Sequence, residues 1–275
     1  MDNQHPIGIF DSGYGGLTVF RAIADELPQY DYIYLGDNAR APYGNRSFET
    51  VHLYTLQAVK WLFGKGCPLV ILACNTASAK ALRTIQQHDL PAIAPDNRVL
   101  GVIRPTAEVI GNYTKTKSVG VLGTKGTVSS NSYPIEIKKF SPELAVYQQA
   151  CPMWVHLIEN NDYMGDEADF FVRKNLNELM AQSGNIDTVL LACTHYPILI
   201  DKIKKVLPGH INIVSQGEII ADSLADYLRR HPEMETRLSR NATKAFYTTD
   251  DAGDFNEHAT LFFNEEVKAE HLNLQ

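Results

Sequence analysis

Two segments, Leu69-Val-Ile-Leu-Ala-Cys-Asn-Thr-Ala-Ser78 and Thr188-Val-Leu-Leu-Ala-Cys-Thr-His-Tyr-Pro197, each run an apolar stretch into a cysteine that polar residues follow at once. Ligands of open parallel sheets sit outside the carboxyl ends of the strands, so Cys74 and Cys193 are placed to face a site. Asn75 and Thr76 follow the first cysteine, Thr194 and His195 the second. Hydroxyls and the free N–H groups of a helix start suit a small carboxylate. A lone strand cysteine is usually a core filler, but recurrence in parallel contexts argues for paired roles. Zinc ligation lacks its usual Cys-x-x-Cys or His-x-x-x-His spacing, so no metal is expected.

Two facing thiols can do what one cannot. A substrate carbon at near-attack distance from both would separate the sulfurs by about 7 Å. One sulfur, as thiolate, removes a proton from one face of the carbon while the other, as thiol, delivers a proton to the opposite face. The carbon is inverted. A free thiol titrates at about pH 8.5, close enough to neutrality to serve in either direction, and no cofactor is obligatory.

Positioning such a pair falls to an α/β chain, since short β-branched runs alternate with longer helix-period stretches. Residues 7–10 read as a strand, 11–16 as a tight loop, and Leu17, Phe20, Ile23 and Leu27 as one face of a helix that Pro28 stops. Residues 32–35 predict a second strand, 36–44 a loop, and Ser47 the cap of a helix with Val51, Thr55, Ala58 and Leu62 on its buried face. The strand ending at Cys74 is third; Ala77, Ala81, Leu82 and Ile85 predict one helix after it. From residue 118 the pattern repeats: strand 118–122 and loop 123–127 parallel strand 7–10 and loop 11–15, and the two cysteines lie 119 positions apart. The expectation is two similar doubly wound (Rossmann-like) lobes with mostly parallel sheets, related by a pseudo-twofold, with the active site in the cleft between them. Residues 1–98 with 214–275 would form the lobe carrying Cys74, and 99–213 the lobe carrying Cys193. The tail predicts a helix with Ile220, Leu224 and Leu228 on one face, a strand over 245–249 and an amphipathic stretch over 255–263, packed back onto the first lobe.

The chain's 275 residues, 44% of them hydrophobic, can fill a sizeable core. A net charge of -7 with no Lys/Arg-rich block argues against nucleic acid and anionic membranes, and the apolar runs are too short to span a bilayer. Met1 to Pro6 show no secretory leader, so a cytoplasmic location is expected. Cys67 and Cys151, the remaining cysteines, read as structural, and all four as reduced.

The two cysteine segments resemble the signature motifs of the aspartate/glutamate racemase family, and Phe10-Asp-Ser-Gly-Tyr-Gly-Gly-Leu-Thr18 is similar to the opening motif of its glutamate-specific branch. The resemblance runs nearly end to end, through Tyr34-Leu-Gly-Asp37, Ala41-Pro-Tyr-Gly44, Gly101-Val-Ile103, 121–127, Cys151-Pro152 to Glu159, and Phe246-Tyr-Thr-Thr249. It implies interconversion of L- and D-glutamate without pyridoxal phosphate, supplying D-glutamate for peptidoglycan, and a homodimer. It also implies that Cys74 and Cys193 form the acid/base pair. Asp11, His195 and Glu159 would support catalysis, and Asp11, Ser12, Tyr43, Gly44, Asn75, Thr76, Thr194 and His195 would contact substrate. Glu159 could orient His195, as carboxylates do for catalytic imidazoles. The chain departs from the family pattern at His156, where a proline is usual, and at Arg104-Pro-Thr106, where Glu-Pro-Gly is common. A racemase of aspartate or another amino acid, and a non-catalytic two-lobed amino-acid binder, are the competing readings.

Overall fold

A computed structural model describes residues 5–274; residues 1–4, on which part of the no-leader reading falls, lie outside the described residues. Among the described residues ten strands form two sheets: β1 (Ile7–Asp11), β2 (Tyr32–Gly36), β3 (Leu69–Leu72), β4 (Arg98–Gly101), β5 (Ser118–Gly123), β6 (Ala145–Ala150), β7 (Thr188–Ala192), β8 (Asn212–Val214), β9 (Lys244–Thr248) and β10 (Ala269–His271). The first sheet has the order β10-β9-β2-β1-β3-β4 and the second β6-β5-β7-β8. Every ladder is parallel. The segments β2-β1-β3-β4 and β6-β5-β7-β8 follow the same order, so the repeat seen in the sequence is a repeat of topology. Cys74 and Cys193 follow equivalent strands of the two copies.

The central strands are buried over their whole length because helices cover both faces, which is why they read as continuous apolar runs. The helix Gly16–Glu26 buries Leu17, Val19, Phe20 and Ile23. Ser47 caps the helix Phe48–Gly64 by accepting from Thr50 N–H at 3.1 Å. The tail behaves as expected: helices Gly217–Arg230 and Ala252–Phe263 bury Ile220, Leu224 and Leu228, and Phe255, Phe262 and Phe263. β9 joins β2, which returns the tail to the first sheet. One apolar cluster runs through Phe20, Tyr34 and Phe263 of the first lobe and Leu191, Tyr196 and Leu199 of the second. No described helix is long and apolar enough to cross a membrane.

Two readings need correction. The helix after Cys74 is not continuous: Asn75–Lys80 stops at Ala81, whose φ of -114° breaks the regular path. A short turn Leu82–Thr84, a π turn Ile85–Asp89 and a last turn Leu90–Ile93 follow. Pro91, without an N–H, fits only because it stands in the first turn of that final piece. The boundary expected between 98 and 99 falls inside β4, whose ladder with β3 keeps all four residues in the first sheet.

Candidate active site

The loop after β1 lies against both cysteine segments. Ser12 Oγ is 3.4 Å from Cys74 Sγ, and Ala77 N–H donates to the same sulfur at 3.4 Å, so Cys74 caps its own helix. On the other side, Thr18 Oγ1 donates to Thr194 O at 3.1 Å. Gly15 packs so tightly on the second lobe that a Cβ there would collide with His195 and Thr194, and a Cβ on Gly13 would sit 3.0 Å from Glu159 Oε1. Only glycines allow this approach. Asp11 accepts from Gly13 N–H at 3.0 Å through Oδ2, while its buried Oδ1 has no partner.

Cys193 Sγ lies 3.9 Å from His195 Nδ1, and His195 Nε2 is 3.0 Å from Glu159 Oε1. Cys193, His195 and Glu159 thus form a relay ending at a sulfur. Burial pulls the imidazole toward neutrality, but its contacts with Cys193 and with the Glu159 carboxylate outweigh that and hold it protonated well above the ordinary histidine range. The first thiol is set differently. Burial, reinforced by the Asp11 charge, pushes Cys74 up to about 12, against the opposing contacts of Ser12 and Ala77. Burial also raises Asp11, a shift that nearby His195 counteracts.

The residues expected around the substrate divide into two groups. Asp11, Ser12, Thr194, His195 and Glu159 gather with the thiols. Asn75, Thr76, Tyr43 and Gly44 are engaged in holding the lobes and loops. Thr76 Oγ1 meets Thr124 Oγ1 at 2.9 Å across the lobes. Tyr43 turns its hydroxyl onto buried Asp37, which also accepts from Arg40 Nε at 2.7 Å and Thr249 Oγ1 at 2.8 Å. The Tyr43 side chain is therefore committed, and Gly44 packs on Thr124. A cavity of about 20 Å³ touches Gly44, Thr124, Cys151 and His156, room for about one water. A second, about 770 Å³, opens between the helices Gly16–Glu26 and Gly217–Arg230, reaching Cys193, Thr194 and Gln216. Cys74 and Cys193 are 5% and 6% exposed, so admitting an amino acid requires the lobes or loops to part.

Sequence reasoning missed Thr124, Asp37, Tyr133 and Gln216. Thr124 carried a signal, since its loop occupies in the second lobe the place of Asp11–Gly16 in the first. Gln216 carried none.

Residues 10–224 match the family described as Asp/Glu/Hydantoin racemase. The chain belongs to that family. It is an amino-acid racemase, an isomerase, and it is 38% identical to a glutamate racemase of Persephonella marina over 98% of this chain and 97% of the relative. Among solved structures, a glutamate racemase isoform from Bacillus anthracis superposes with a TM-score of 0.89 at 33% identity, covering 99% of this chain and 98% of that one. A Francisella tularensis glutamate racemase in complex with D-glutamate gives 0.86 at 32% identity, with coverage of 99% and 98%. In the racemase the cysteines, the Asp11 loop and the His195–Glu159 pair all fall inside the matched region.

Proposed function

We propose that this racemase interconverts L- and D-glutamate by two-thiol proton transfer at the α-carbon, without a cofactor, and so supplies D-glutamate for peptidoglycan. The observation that carries the reading is the equivalence of Cys74 and Cys193 in two four-strand segments of the same order, with the loop after β1 touching both cysteine segments. Whichever sulfur is the thiolate takes the α-proton; the resulting carbanion then takes the proton of the opposite thiol, leaving a thiolate there. The protonated His195 stands next to Cys193, and the raised Cys74 holds its proton ready for delivery. Asp11, Ser12 and Thr194 would receive the ammonium and carboxylate, and the glutamate racemase relatives favour glutamate over aspartate. The backbone of Tyr43 and Gly44 and the hydroxyl of Thr76 would close the far end, with Asn75 beside the first thiol. We draw the lobes as 5–101 with 215–274 and 102–214, assembled as a homodimer.

Incubation with L-glutamate in D2O should give D-glutamate and deuterium at the α-carbon together. Neither appearing would falsify the reading, and a faster reaction with aspartate would move the substrate assignment. Activity should survive dialysis against a chelator, with no pyridoxal absorbance.

A further inference from the structure

The chain passes between the lobes twice, just after β4 and just after β8, and Gln216 sits at the second crossing directly before the helix Gly217–Arg230. Its buried amide joins a closed ring. Asn75 Nδ2 donates to Gln216 Oε1 at 2.8 Å, Gln216 Nε2 donates to Tyr133 Oη at 2.7 Å, and Tyr133 Oη donates to Asn75 Oδ1 at 2.5 Å. Gln216 Nε2 also faces Thr106 Oγ1 at 2.8 Å and Val102 O, at the first crossing, at 3.3 Å. All four side chains are buried.

The polarity of this ring is over-determined. Val102 O can only accept, and Thr106 Oγ1 spends its hydrogen on the same carbonyl at 3.0 Å, so the end of Gln216 facing them must be the amide nitrogen. Its oxygen therefore faces Asn75, which fixes that amide with nitrogen toward Gln216. Tyr133 accepts from Gln216 and so gives its own hydrogen to Asn75 Oδ1. One hydrogen of Asn75 Nδ2 stays unused by the ring, on the residue next to Cys74. The ring joins Asn75 of the first lobe, Tyr133 of the second and both crossings.

We propose that Gln216 is a positioning residue: through Asn75 it fixes the Cys74 segment against the second lobe, so that the first sulfur keeps its distance and direction to the α-carbon when the lobes part and close. The inference rests on the two-thiol reading. Because the enantiomers are equal in free energy, any variant must lose kcat/KM equally in both directions, and rate losses alone do not tell which thiol was disturbed. Isotope effects do. If only the Cys74 transfer becomes harder, the primary effect on kcat/KM rises for the enantiomer whose α-hydrogen Cys74 removes and falls for the other.

The test uses L- and D-glutamate, protiated or deuterated at the α-carbon, with the wild-type chain, Gln216→Glu and Tyr133→Phe. Gln216→Glu keeps the volume and removes the N–H donors; Tyr133→Phe takes one hydroxyl out of the ring. The expected result is a fall in kcat/KM of about 10- to 100-fold with isotope effects moving in opposite directions for the two enantiomers. Wild-type isotope effects in a folded variant, with any loss of rate following the folded fraction, overturn the proposal. Should Gln216→Glu not fold, Tyr133→Phe decides alone by the same criterion. A wild-type chain inactive on glutamate would instead sink the glutamate assignment, and activity without either cysteine the two-thiol reading, so these failures are distinct from that of the proposal.

Discussion

At the scale of residues, the two sulfurs share a position in topology but not an environment. Cys74 is pushed up to about 12 by burial and the Asp11 charge, whereas Cys193 faces an imidazole held in its charged form. Cys74→Ala and Cys193→Ala are each expected to abolish racemisation, since each direction needs one sulfur to take a proton and the other to give one; substantial activity in either would end the two-thiol assignment. Glu159→Gln removes a charge that raises His195, so the imidazole should lose its proton at lower pH. The alkaline limb of the kcat/KM profile should then move to lower pH and the maximum fall about 10- to 100-fold. An unmoved limb would show that Glu159 does not act through His195.

At the scale of elements, close approach of backbone matters as much as side-chain chemistry. Gly15 has an ordinary helical φ of -57°, so conformational freedom is not what demands glycine there. Space is: a methyl group would meet His195 and Thr194. Gly15→Ala should therefore cost about 1–3 kcal/mol of stability and shift His195 in NMR spectra, and a variant with an unshifted His195 resonance would deny the contact. The tail is held by aromatic packing, with the Phe263 ring 5.0 Å from that of Phe20 and 5.2 Å from that of Phe246. Phe263→Ala should lower stability by about 3–5 kcal/mol, read from denaturant unfolding, because it empties the joint between the last helix and the first sheet.

At the scale of the whole molecule, burying thiols makes stability depend on alkaline pH. Cys67, remote from the chemistry, is pushed from 9.0 to about 12 by burial. A folded-state value raised above the unfolded one means that the folded chain keeps its proton where the unfolded chain has released it. Stability is therefore full below about pH 9 and declines as pH climbs toward about 12, by at most about 1.4 kcal/mol per pH unit for each such thiol. Cys74 adds to this slope in the same window. In Cys67→Ala the unfolding free energy should start lower and fall less steeply above pH 9, with racemisation kept; an unchanged slope would refute the linkage.

The sequence by itself determined the parallel α/β class, the repeat, the return of the tail and the two thiol positions. Fully buried central strands and capped helices write their periodicity directly into residue order. The strands it did not announce, β4, β6, β8 and β10, all stand at sheet edges. Such strands are partly solvated along their length, so their apolar signal is weak. Only the tertiary structure decided that Tyr43 is committed to Asp37. It also decided that Gly15 is the floor under His195 and that Gln216 closes a ring with Asn75 from 141 residues away. Those pairings join polar residues far apart in the chain, and no local periodicity encodes which buried donor will meet which acceptor once two sheets pack.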